Sequence, residues 1–300
     1  MKRIVTAAVL IPLVLLAVFR APLWLFLLLT ALVALAATME YLGLVAGYGL
    51  EPFRLLTYFY LAALFLACWY AQGNSGPMLA GVLLLLLFVP FLLLTAAMAR
   101  PELKSALPGA AMSYLALPYI GLPLLLLAMM RQSVRGWVYV LFTFLAVWAG
   151  DTAAMYVGKS MGRHKLSPRI SPGKTVEGAV ASLLFSVVVC CLFAHYVPEI
   201  ASALGRVHVL AEEPESLLIA PSSYPRAPLW LAVLLAVLIN AAAQLGDLLE
   251  SALKRGAGVK DSGTMLPGHG GILDRIDALL LALPVAFMLF LIWGKRFVQG

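Results

Sequence analysis

The sequence predicts an all-α, polytopic integral membrane protein of about nine transmembrane helices, with the N-terminus in the cytoplasm. Three observations point there. Hydrophobic residues make up 63% of the 300 and charged residues only 12%, with a mean hydropathy of +0.98, whereas soluble domains carry about 25% charged residues. The apolar residues fall in blocks long enough to cross a bilayer as helices of about 20 residues. Polar segments rich in Gly, Pro and charge punctuate those blocks. The net charge of +7 calls for no nucleic acid: basic residues held at one membrane face, against anionic headgroups, account for it.

In chain order, Lys2 and Arg3 precede a first apolar run over 4–19. No small-residue cleavage site follows Phe19 and a second apolar run begins almost at once, so the segment reads as a retained span and not as a signal peptide. The second span, 22–46, contains Glu40, read either as a buried functional carboxylate or as an interfacial acid. Further spans are expected over 55–71, 78–99, 113–130 and 137–157, with Pro90, Pro118 and Pro123 inside them as kinks. Nothing in residues 1–135 carries a chemical signature, so that half reads as a transmembrane scaffold and 136–300 as the catalytic region. The sixth span ends in WAGDTAAMYVGKSMGRHKLSPRISPGKTVEG (148–178), with Asp151 still inside the apolar run. Asp151 reads as a site carboxylate or as a buried acid paired to a base of the loop. SPGKT at 171–175 is no P-loop, because Pro168 stands where the first glycine should be and the flanks are helices. Ser171-Pro172-Gly173 is expected to open a helix whose free N–H groups suit phosphate. Gly178, Ser182 and Ser186 recur every four residues in the seventh span, 176–197, as a packing stripe. A polar segment over 198–227 separates it from the last two spans, 228–251 and 276–293. Cys68, Cys190 and Cys191 lie in apolar blocks and read as packing residues.

The chemical signal lies between Asn240 and Asp277. Asn240, Gln244, Asp247, Ser251 and Lys254 are spaced four and three apart, which sets all five on one helical face. A carboxylate at membrane depth costs roughly 2.5–3.5 kcal/mol, so the stripe must face protein, water or a ligand. KRGAGVKDSGTMLPGHGGILDRID (254–277) follows, with six glycines between Gly256 and Gly271. Glycine lets backbone N–H groups close around an anion. With nine spans and the N-terminus inside, this loop and the basic loop 158–175 share the cytoplasmic face, as the positive-inside bias expects.

Ser251, Lys254, Arg255, Lys260, Asp261, Pro267, His269, Gly270, Gly271, Asp274, Arg275 and Asp277 together resemble the signature of the phosphatidate cytidylyltransferases, or CDP-diacylglycerol synthases. Gly150-Asp151-Thr152, Tyr156, Gly158, Gly162, Ser171-Pro172, Lys174-Thr175 and Glu177-Gly178 also resemble positions typical of that family. The resemblance implies formation of CDP-diacylglycerol and pyrophosphate from CTP and phosphatidate in phospholipid biosynthesis, with a divalent cation, usually Mg2+. It leaves room for a second cation and for a homodimer. Phosphatidate brings its own nucleophilic oxygen, so the protein's task is to align two polyanions and neutralise the leaving group. On this reading Asp247, Asp274, Lys260 and His269 are catalytic. Lys174, Ser171, Ser251, Lys254, Arg255, Asp261, Arg275 and Asp151 bind substrate, and Asp247, Asp274 and Asp277 hold the metal through hard oxygens. No organellar transit segment is seen, which points to a bacterial inner (cell) membrane with the site facing the cytoplasm.

Other classes fit less well. The paired Asp-Gly and Ala-Arg array expected of CDP-alcohol phosphotransferases is missing. An ion-coupled transporter would explain intramembrane acids and broken helices, but not a basic, glycine-rich loop. Another CTP-using lipid enzyme stays open as an alternative.

Overall fold

The computed structural model describes residues 2–71, 75–206, 224, 226–265 and 270–298. They form a helical membrane protein with one small hairpin. The helices are α1 (Lys2–Arg20), α2 (Leu23–Gly47), α3 (Arg54–Ala71), α4 (Ser75–Met98), α5 (Leu103–Ala116), α6 (Leu122–Gln132) and α7 (Gly136–Met161). After β1 (Lys165–Ser167) and β2 (Ser171–Thr175) come α8 (Val176–Arg206), α9 (Leu229–Gly256) and α10 (Leu273–Val298). Among the described residues, eight helical segments are long and apolar enough to cross a membrane. α1 (Lys2–Arg20) covers the first expected span, 4–19.

Three expected boundaries move. The fifth span begins at Leu103, not at 113, and continues through α5, a π-helical turn (Leu117–Gly121) and α6 to Gln132. Pro118 and Pro123 supply no N–H to the helical ladder, and the backbone widens into a π turn between them. α8 runs through Pro198 to Arg206, nine residues beyond the expected end at 197. α9 continues to Gly256, which carries the polar stripe past the apolar stretch.

The core is built of Tyr41, Leu61, Leu64, Phe142, Leu231, Leu235 and Ile239, all fully buried. Leu55, Phe59, Tyr70, Leu87, Phe91 and Leu291 are exposed, apolar surface suited to lipid. α7 lies along α8, and α9 packs between α8 and α10. Asn240 locks the first three of these together. Its Nδ2 donates to the Ala146 carbonyl on α7 (3.1 Å) and to Ser182 Oγ on α8 (3.1 Å), while Gln244 Nε2 donates to its Oδ1 (2.7 Å). Ser186 Oγ donates to Ala146 O (2.9 Å), so Ser182 and Ser186 serve packing. Cys68 and Cys190 are buried free thiols, as expected of packing residues.

Candidate active site

The site starts with the hairpin. The expected helix start at Ser171-Pro172-Gly173 is not formed: Ser171–Thr175 is strand β2, antiparallel to β1. Lys165 pairs with Thr175 and Ser167 with Ser171, so five residues of β2 stand against three of β1. Pro172 cannot donate to the ladder, and the surplus is taken up as an irregularity in the strand that carries Lys174. The helix starts one residue after β2, where Thr175 Oγ1 accepts the Gly178 N–H at 3.2 Å as an N-cap. Glu177 ties the hairpin's entry to the same helix end, accepting the N–H groups of Arg163 and His164 and bonding His164 Nδ1 at 2.6 Å.

Between this hairpin, α7, α8 and α9 lies a cavity of about 310 Å³, lined among others by Asp151, Lys159, Lys174, Thr175, Gln244 and Asp247. Lys174 Nζ meets Asp247 Oδ2 at 2.6 Å across it, and Ser251 Oγ lies 3.5 Å from Asp247 Oδ1. Lys174 Nζ is shielded from solvent and makes no hydrogen bond of good geometry among the described residues. An ammonium carries three donors, so a charge held here has capacity for a second anion. Asp151 is exposed to the cavity and within electrostatic reach of both Asp247 and Lys174. It forms part of the cavity wall.

One and two turns further along α9 the stripe turns toward α10. Lys254 Nζ contacts Asp274 Oδ1 at 2.6 Å and also pairs with Glu250, whose side chain is fully buried. Glu250 Oε1 has no hydrogen-bond partner among the described residues. Glu250 was absent from the residues expected at the site, although a signal existed: it stands four residues before Lys254, the favoured helical order for an acid–base pair. Asp277 lies within electrostatic reach of Asp247 and Glu250.

The glycine-rich loop leaves α9 through a left-handed turn. Gly258 has φ +74°, its N–H bonds to Arg255 O (3.1 Å), and Val259 N–H bonds to Lys254 O (3.0 Å). Arg255 then bridges the two loops, donating to Ile170 O and to Val259 O at 3.2 Å each. The hairpin and the glycine-rich loop thus meet at one end of the bundle. The anion that the loop's amides wrap is the protein's own: Ser262 N–H donates to both oxygens of Asp274 (3.2 and 3.0 Å) and Gly271 N–H to its Oδ2 (2.8 Å). Glu40 is the second such anion. It is buried and accepts from Ser262 Oγ and from the Ile272 and Leu273 N–H groups. Lys260 and Asp261 are exposed on the loop, Arg275 is exposed on the first turn of α10, and Ser171 is half-buried in β2. Pro267 and His269 lie outside the described residues.

Residues 1–293 match the model of the cytidylyltransferase family. This chain belongs to that family. Among similar proteins is the phosphatidate cytidylyltransferase of Staphylococcus saprophyticus, 39% identical over 183 residues, covering 61% of this chain and 59% of the relative. Those of Staphylococcus haemolyticus and Staphylococcus aureus are each 36% identical over 182 residues, with the same coverage. The matched part of the chain thus spans 59% of the length of these curated relatives. Lys174, Lys254, Arg255 and Lys260 lie on the two loops and the helix end between them.

Proposed function

We propose that the protein is a phosphatidate cytidylyltransferase, joining CTP and phosphatidate into CDP-diacylglycerol with release of pyrophosphate, at the cytoplasmic face of a bacterial cell membrane. The observation that carries the reading is Lys174 Nζ, shielded from solvent in a cavity and opposed by Asp247 at 2.6 Å, at the end of the bundle where both basic loops meet. The relatives' name supports the choice of substrates. A phosphate oxygen of phosphatidate forms the new bond to the α-phosphorus of CTP, and the bond from that phosphorus to the bridging oxygen of the β-phosphate breaks.

The donor set fits a hard divalent cation such as Mg2+. Among the described residues, Lys174 and Lys254 are the bases paired with this group of Asp151, Asp247, Glu250, Asp274 and Asp277, and Glu250 keeps an unpartnered buried oxygen. Among the described residues no three of them form a ready cage. A cation here would be bound by one or two carboxylates plus substrate phosphates. Asp247 and Asp274, with Asp277, are the residues that would hold it. When bound, such an ion offsets the charge of the triphosphate and of the pyrophosphate leaving group.

The chain's own groups do the rest. Lys174, with Ser171 beside it on β2, binds phosphate from the hairpin side. Lys260, Arg275 and the exposed part of Arg255 bind it from the loop side, with His269 orienting the triphosphate. Ser251 holds Asp247 in place, and Asp261, exposed on the loop, binds substrate. Lys254 stays between Glu250 and Asp274, holding the two carboxylates close. Asp151 binds substrate from the cavity wall.

Pyrophosphate release by the purified protein in mixed micelles tests the reading. It is expected only when CTP, phosphatidate and Mg2+ are all present, with CDP-diacylglycerol formed in equal amount. No pyrophosphate at saturating concentrations of all three would exclude the activity.

A further inference from the structure

Glu40 stands on α2, in the half of the chain without any other chemical feature, yet its carboxylate reaches both arms of the glycine-rich loop. On the entering arm Ser262 Oγ donates to Oε2 at 3.0 Å. On the leaving arm Ile272 N–H donates to Oε1 at 3.1 Å and Leu273 N–H to Oε2 at 2.9 Å. Ser262 is shared: its hydroxyl serves Glu40 while its N–H serves Asp274. A buried carboxylate is costly unless it is paired and hydrogen-bonded. Here the compensation comes from donors at the start of α10, where the helix dipole also favours negative charge.

The contact leaves no room for side chains. A Cβ on Gly271 would lie 2.2 Å from Glu40 Oε2, and one on Gly263 would lie 2.5 Å from Oε1. Two turns further along, Tyr48 Oη donates to Leu253 O at 2.8 Å, beside Lys254. The end of α2 therefore grips both the base of the loop and its two arms.

We propose that Glu40 is a positioning residue of the active site: it clamps the two arms of the glycine-rich loop so that Asp274 and Lys260 stay at the cavity's end of the bundle. The role in turnover rests on the cytidylyltransfer reading above; the clamp on the loop does not. A carboxylate that only stabilised the bundle would change melting without changing the loop's shape or kcat in the folded protein.

The test uses the full chain, purified in detergent, with wild type, Glu40→Ala and Ser262→Ala compared in two assays. The first is the rate of tryptic cleavage after Lys260, identified by fragment mass; the second is pyrophosphate release. In folded Glu40→Ala, cleavage at Lys260 is expected to accelerate several-fold and kcat to fall roughly ten- to hundredfold, with KM for CTP changing less than kcat. Glu51→Gln, which removes a partly exposed carboxylate paired to Arg100, is expected to match wild type in both. Cleavage at the wild-type rate, or kcat at the wild-type level, in folded Glu40→Ala overturns the proposal. If Glu40→Ala does not fold, Ser262→Ala carries the same two criteria, with smaller changes in the same directions. Absence of pyrophosphate from wild type would overturn the activity alone, because the cleavage assay still reads the clamp.

Discussion

Asp247 and Asp274, the two acids proposed to share a cation, have different protein partners. Asp247 lines the cavity with Lys174 at 2.6 Å, and Asp274 meets Lys254 and the backbone amides of Ser262 and Gly271. An amide in place of either carboxylate keeps the shape and one oxygen but loses the charge. Asp247→Asn and Asp274→Asn are each expected to lower kcat by at least about a hundredfold, in protein that still inserts and purifies. The double variant should lose little more than the worse single, since both changes disable one ion site. Steady-state pyrophosphate release at saturating CTP, with Mg2+ varied, checks this. Losses that multiply would mean two independent sites, and near-normal turnover in either single variant would remove that residue.

At the scale of elements, the polar stripe on α9 divides into two functions. Its first turns fasten helices: Asn240 bonds α7 and α8 at once, and Gln244 Nε2 also donates to Ala179 O at 3.2 Å. A Cβ on Gly150 would lie 2.2 Å from Asn240 Nδ2, so α7 approaches this network as closely as it can. Asn240→Ala leaves Ser182 Oγ and the Ala146 carbonyl short of a partner in a dry interface. It is expected to cost about 1–2 kcal/mol, read as a lower Tm in detergent. Adding Ser182→Ala should cost less than the sum of the single changes, because the pair shares one network. A Tm within error of wild type for Asn240→Ala would show that the network contributes no net stability.

For the whole molecule, the decisive contact is the one between the hairpin and the glycine-rich loop, at Arg255 and Ile170. Two spans, α8 and α9, separate the loops in the chain, so they lie at the same membrane face whatever the count before α7. Single cysteines replacing Arg163 and Val259, in a background without Cys68, Cys190 and Cys191, are expected to react with an impermeant maleimide from one side only, the cytoplasmic one. Val259 is the better loop position than its neighbour, since Gly258 has φ +74° and a side chain there would strain the turn. Labelling of the two positions from opposite sides would exclude a shared site; labelling of both from outside would reverse the orientation.

The all-helical membrane fold was legible because bilayer-length apolar blocks and polar breaks are local properties of the chain. So was the stripe from Asn240 to Lys254, because helical periodicity alone puts those residues on one face. The glycine-rich loop announced itself as an anion wrapper by composition. Which anion it wraps was decided only by tertiary structure: Glu40 and Asp274 take the amides, and one of those acids comes from more than two hundred residues away. The hairpin at 165–175 was equally hidden, since a Pro-Gly pair before a helix reads as a helix start until a partner strand claims it. Glu250 needed the fold as well, because only the packing of α9 on α10 buries it beside Lys254 and Asp277. Periodicity and composition fix what a segment becomes; long-range contacts between charges, which leave no period in the sequence, decide what it holds.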